Sequence, residues 1–126
     1  MLNGVSTNGT SLIQVQLGST TYSTSGYTGY YSKGTAAGTR GALSSGFITT
    51  AVMAATTNIY AYGTFLLQGS NIWVGCLKSF EYAGPTNPYT SSSGSITLGG
   101  SLDRLRITTV NGTDTFDAGS INVTYD

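Results

Sequence analysis

Few side chains in this chain could do chemistry. Its 126 residues hold five carboxylates (Glu81, Asp103, Asp114, Asp117 and Asp126), one thiol, Cys76, and no histidine. Without histidine the usual general base near neutral pH is missing. The Ser-His-Asp and Cys-His arrangements go with it, and so do nearly all zinc sites. Only Asp114 and Asp117 lie close together in sequence. Such a pair can run glycoside hydrolysis or hold calcium through oxygen ligands. These two follow Asn111-Gly112 in a polar turn, where aspartate commonly accepts bonds from backbone N–H groups. The turn role is the expectation, so no catalytic residue, metal site or cofactor is assigned, and the chain is read as a non-enzyme. Asp103 sits beside Arg104, with Arg106 two further on. An ion pair along or across strands is expected there, and no other nearby base supports anion recognition. Cys76 lies in an apolar run and reads as a small buried residue, not a reactive thiol. Asn8, Asn111 and Asn122 head Asn-X-Thr sequons, which chance produces in a chain so rich in Asn and Thr.

Aromatic side chains are the remaining resource. Tyr22, Tyr27, Tyr30, Tyr31, Tyr60, Tyr62, Tyr82 and Tyr89, with Trp73, offer flat amphipathic surfaces. These suit sugar rings and equally suit a subunit interface, while plain strand packing is the bland alternative. The candidate glycan-binding set is Tyr22, Tyr27, Tyr30, Tyr31, Tyr82 and Tyr89, on segments 18–46 and 82–90.

These residues need a scaffold, and composition points to its type. Only 8% of residues are charged and the formal net charge is zero. That argues against nucleic acid, which needs a basic patch, and against a polybasic membrane contact. Nine Tyr with abundant Thr, Ile and Val argue against disorder. No apolar run approaches the roughly 20 residues of a membrane helix, and no signal peptide is recognised. The length fits one domain over 1–126.

Period-two alternation marks the strands. Over 101–126, Leu105, Ile107 and Thr109 alternate with Arg104, Arg106 and Thr108, and Ile121, Val123 and Tyr125 alternate with Ser120, Asn122 and Thr124. This predicts two antiparallel strands joined by a polar loop, the second lying in the core. Residues 1–5 read as the end of a strand and 6–11 as a turn, so the first strands are expected to be missing or borrowed. Ile13, Val15 and Leu17 predict a strand face opposite Gln14 and Gln16. Residues 18–46 read as a short strand within a long surface loop, and 47–55 as a short strand with a turn or as one helical turn. Segments 58–68 and 72–81, around Gly69-Ser70-Asn71, predict a hairpin. Ile59, Ala61, Phe65 and Leu67 oppose Tyr60, Tyr62 and Leu66; Ile72, Val74, Cys76 and Phe80 oppose Trp73, Gly75, Leu77 and Glu81. With apolar residues on both faces, the hairpin is central or meets a partner. Residues 83–94 read as a loop containing Pro85 and Pro88, before a short strand at 95–98. Seven or eight strands with regular turns indicate an all-β antiparallel sandwich, jelly-roll-like as the first choice.

Two segments resemble a known family. Val5-Ser-Thr-Asn-Gly-Thr-Ser, Ile13-Gln-Val-Gln-Leu-Gly and Thr24-Ser-Gly-Tyr resemble the opening strands of tailed-bacteriophage virion proteins. Arg104-Leu-Arg-Ile-Thr-Thr-Val-Asn-Gly-Thr-Asp-Thr-Phe-Asp-Ala-Gly-Ser-Ile-Asn-Val-Thr-Tyr resembles the closing strands of the same domains. The resemblance implies a jelly-roll-like C-terminal sandwich of tail-fibre type, displayed on the outer surface of the virion and often trimeric. It implies attachment and carries no catalytic motif. The expected function is therefore a phage structural protein that forms a homo-oligomer, contacts other virion proteins and binds a host-surface glycan. The alternative is a capsid decoration, head-fibre or fibre subunit with a purely structural role. Zero net charge fits a neutral polysaccharide better than an acidic one.

Overall fold

A computed structural model describes residues 1–34, 38–51, 53–84 and 87–126. Eleven strands and no helix occur among them: β1 (Leu2–Thr7), β2 (Ile13–Ser19), β3 (Thr21–Tyr22), β4 (Thr28–Gly34), β5 (Thr39–Ala42), β6 (Phe47–Ile48), β7 (Asn58–Gly69), β8 (Ile72–Tyr82), β9 (Tyr89–Thr97), β10 (Arg104–Thr109) and β11 (Phe116–Ile121). Seven form one sheet in the order β11-β1-β7-β8-β9-β4-β5. The second sheet runs β10-β2-β3, with β6 also paired to β2. Every pairing is antiparallel, and the fold is an all-β sandwich.

The β7–β8 hairpin is the long centre of the larger sheet, as the alternation predicts. Ser70 and Asn71 at its tip have φ of 49° and 60°, the positive values that a two-residue turn matched to strand twist requires. Its two faces are sorted by the second sheet. Ile59, Ala61, Leu77, Ser79 and Glu81 point inward and are buried; Tyr60, Tyr62, Val74, Cys76, Phe80 and Tyr82 are exposed. Cys76 is therefore not the buried residue expected.

Inward residues of both sheets make the core. Val15 and Leu17 of β2, Phe47 and Ile48 of β6, Leu77 of β8 and Ile96 of β9 cluster with Tyr27, Leu43 and Leu98. A second cluster joins Leu2, Val5, Ile13, Met53, Ile59 and Ala61. Phe47, fully buried, lies 5.2 Å from Tyr27 edge to face and 5.1 Å from Phe65, ring centre to ring centre. Room for it comes from Gly75, one of three glycines in register across three strands. Gly75 of β8 is in register with Gly94 of β9, and Gly94 with Gly29 of β4. A Cβ on Gly75 would meet the Phe65 and Phe47 rings at 2.7 and 2.8 Å; one on Gly94 would meet Leu43 at 2.7 Å and the Thr28 carbonyl oxygen at 2.2 Å. Gly75 thus makes space for the Phe47 and Phe65 rings and Gly94 for Leu43.

Four sequence expectations are corrected here. First, the closing segments form no hairpin with each other. β10 pairs with β2 in one sheet, and β11 with β1 in the other. Leu105 and Ile107 do pack on the core, but β11 is exposed along its whole length, and Ile121, Val123 and Tyr125 are 46%, 53% and 93% exposed. The β1–β11 ladder stops at Leu2 and Ile121, so residues 123–125 have no strand to carry them into the core. Second, 18–46 is largely strand. β4 and β5 pair from Tyr30–Ala42 to Lys33–Thr39, and β4 pairs with β9 along its length. Third, β9 begins at Tyr89, inside the expected loop, because its serines need only alternate and pair to build a strand; Pro85 lies outside the described residues, as does Val52 of the 47–55 segment. Fourth, Ser6 and Thr7 extend β1 instead of turning, and Gln14 and Gln16 are buried like their apolar neighbours.

The two segments that carry the resemblance meet in space. Asn8 N–H donates to the Thr115 carbonyl and Thr115 N–H to Asn8 Oδ1 (3.0 and 2.9 Å), while Ser11 N–H donates to Asp114 Oδ2 (2.9 Å).

Candidate functional site

Two surfaces collect the side chains singled out by the sequence. The first is the outer face of the larger sheet. Register places Tyr60 of β7 opposite Phe80 of β8, and Phe80 opposite Tyr89 of β9. Tyr60 and Phe80 are 6.4 Å apart between ring centres. Tyr89 continues the row by lying over Gly34 of β4, where a Cβ would sit 1.8 Å from its ring. Tyr82 lies diagonal to this row, and Tyr62, Lys78 and Ser91 form the next. One row further, Tyr30 shares the face and carries the Arg40 guanidinium 4.8 Å above its ring. A hydrophobic patch of this kind on an uncovered sheet marks an interaction surface.

The second surface is a polar cleft on the smaller sheet, of about 250 Å³. Gln14 and Gln16 of β2 line it with Thr24, Ser45, Arg106 and Asn111. Both glutamines are nearly buried, at 2% and 3% exposure. Ser45 ties them down: its hydroxyl donates to Gln14 Oε1 (2.9 Å) and its carbonyl accepts from Gln16 Nε2 (2.6 Å). Arg106 donates from Nε to Gln16 Oε1 (2.7 Å) and lies over the Tyr22 ring at 4.4 Å. Among the described residues Arg106 has no carboxylate partner, whereas Arg104 pairs with Asp103 at 2.7 Å. That pair follows the sequence expectation. It also holds the Asp103 carboxyl below its usual range, with help from the Thr20 N–H.

The six predicted tyrosines thus divide. Tyr30, Tyr82 and Tyr89 share the aromatic face, and Tyr22 stacks on Arg106 at the side of the cleft. Tyr31 points inward, half-buried against the core and beside Gly41. Tyr27 is corrected: at 5% exposure it is a core residue with no face for a ligand. Its hydroxyl accepts from Leu17 N–H (2.9 Å) and donates toward the Ser23 carbonyl (3.1 Å), and burial pushes its pKa up. Tyr60, Tyr62 and Phe80 join the aromatic face, although the candidate glycan-binding set did not include them. The signal was the parity of Tyr60 and Tyr62, but which parity faced outward depended on the second sheet.

Four of the five carboxylates have structural partners. Asp114 accepts from Ser11 N–H and from Asn111 Nδ2 (2.8 Å), which lowers its pKa, and Asp117 accepts from the Ser6 hydroxyl. No group of metal-ligating side chains occurs among the described residues. Glu81, placed by the sequence on one face of the 72–81 strand, is fully buried. Its Oε1 accepts from Ser79 (2.8 Å) and Thr90 (2.5 Å), its Oε2 has no partner among the described residues, and desolvation raises its pKa.

Comparison of the chain with family models, curated proteins and solved structures finds no match.

Proposed function

We propose that this chain is a virion surface module of the tail-fibre or spike kind, built on a jelly-roll-like sandwich and displayed on the outside of a phage particle. In this reading it assembles as an oligomer, a trimer by preference, beside other virion proteins, and attaches to a host-surface glycan. It is not an enzyme and uses no cofactor. The observation that supports it is the Tyr60–Phe80–Tyr89 row with Tyr62, Tyr82 and Tyr30 on the same open face. Aromatic faces stack on the C–H faces of sugar rings while tyrosine hydroxyls and neighbouring serines bond their hydroxyls. Serines of β9 and β4 supply those polar groups between the rings.

A purely structural role, as a decoration or fibre subunit, is favoured by a different observation. β11 is an edge strand exposed on all its residues, Phe116 and Ile121 included, and such an edge invites pairing with another chain. One pair of measurements tests both readings. A glycan array is expected to show retention on neutral glycans, and sedimentation to show an oligomer. A blank array across neutral and acidic sugars removes attachment, and a stable monomer removes assembly.

A further inference from the structure

We infer that the Arg106 cleft is a second binding site, specific for the carboxylate of an acidic sugar such as a uronate. The inference deepens the glycan reading but places the acidic group away from the aromatic sheet face.

The guanidinium is set up for a planar anion. Its Nε is used by Gln16 and one face lies on Tyr22, so two of its degrees of freedom are fixed before a ligand arrives. Its terminal nitrogens form no hydrogen bond among the described residues. A carboxylate matches that remaining edge bidentately, the strong geometry for arginine. The same group is not a structural ion pair, because the neighbouring Asp103 is already bound to Arg104 and Thr20. Apart from Arg106, the cleft lining is uncharged, so no protein carboxylate there competes with a ligand.

The floor reads hydroxyls. Gln14 Nε2 has no bond among the described residues, and Ser45 holds the Gln14 carbonyl oxygen so that the amide is not free to turn. Both glutamines are held by hydrogen bonds in a nearly buried layer. Gln14 lines the cleft, so its free amide nitrogen is available to donate to a sugar hydroxyl. The volume of about 250 Å³ falls just below the roughly 300–1,000 Å³ of drug-sized sites, which fits one sugar ring. Arginine stays charged at all working pH values, so binding is expected to be flat from mildly acidic to mildly alkaline conditions and to weaken with salt.

The test is an NMR titration of the isotope-labelled chain with methyl glucuronide, methyl glucoside and acetate. Expected are shifts of the Gln14 and Gln16 side-chain amides and of Arg106 Nε with the glucuronide, with the glucoside and acetate each binding roughly tenfold or more weakly. Arg106→Gln should weaken the glucuronide by roughly ten- to a hundredfold. Loss of the bond to Gln16 Oε1 should also lower stability, and an unchanged backbone spectrum away from the cleft shows that the variant is folded. Arg106→Lys, which keeps the charge but loses the fork, should recover only part. Equal binding of glucoside and glucuronide, acetate binding as well as the glucuronide, or indifference to Arg106→Gln would overturn the inference. Phe80→Ser with Tyr89→Ser should leave this titration unchanged. A failure of the aromatic-face reading is thereby seen on the array and not here.

Discussion

Glu81 ties the stability of the fold to pH. A carboxyl removed from water with one oxygen unpartnered is disfavoured as an anion, and its pKa rises above its ordinary 4.5. Its proton is therefore held more tightly in the folded chain than in the unfolded one. Stability from this group is full below that ordinary value and falls as pH rises through the folded pKa. Asp103 and Asp114 act with the opposite sign. Their pKa values lie below the ordinary 3.8, so their contribution is present above that value and lost as pH falls. Stability should peak between the two. Glu81→Gln keeps an acceptor for Ser79 and Thr90 and cannot ionise. Its melting temperature is expected to exceed that of the parent at about pH 8 and to approach it at about pH 4. Thermal melts across that range check this, and a constant gap would contradict it. Glu81 was hard to find from sequence because its parity on β8, shared with Trp73 and Leu77, carried no more apolar weight than the opposite one.

At the scale of elements, the sandwich depends on the fit between β6 and the glycine row. Phe47 enters where Gly75 leaves the inner face bare, and Leu43 packs where Gly94 does. Gly94→Ala puts a methyl group 2.2 Å from the Thr28 carbonyl oxygen, and backbone cannot move aside as a side chain can. A loss of roughly 1–3 kcal/mol is expected from such overpacking, measured by denaturant unfolding; a neutral result would mean that β4 and β9 separate easily. The Ile13-Gln-Val-Gln-Leu alternation correctly marked β2, and the two long alternating runs marked β7 and β8. The same rule misjudged 121–125. Alternation describes a strand with a neighbour, and the ladder beside this one ends at Ile121. It also missed β5, the second half of β4 beyond the short strand expected at 24–31, and most of β9, whose Ser, Thr and Gly carry little apolar pattern and are held by pairing with β8 and its neighbours.

For the whole molecule, the uncovered face of the larger sheet sets the behaviour. With zero net charge there is little long-range repulsion to keep copies apart, so association or ligand capture falls to the aromatic row. Phe80→Ser combined with Tyr89→Ser is expected to cost about 1–2 kcal/mol of stability through lost cross-strand packing and to leave the chain folded. Array retention on neutral glycans should drop about tenfold, the order of two lost aromatic contacts. An unchanged array with a lower solution mass would instead assign the face to subunit contact.

By itself the sequence determined the class: neutral, hydroxyl-rich, alternating segments with frequent turns make antiparallel sheets, and the turn chemistry of Asn111-Gly112 and Ser70-Asn71 needs only local residues. Tertiary structure alone decided which parity of β8 faces water, that Tyr27 fills the core while Tyr60 and Tyr62 stay open, and that Tyr22 meets Arg106. The reason is physical. A period of two defines two faces, but only the second sheet, packed against one of them, makes that face the inside.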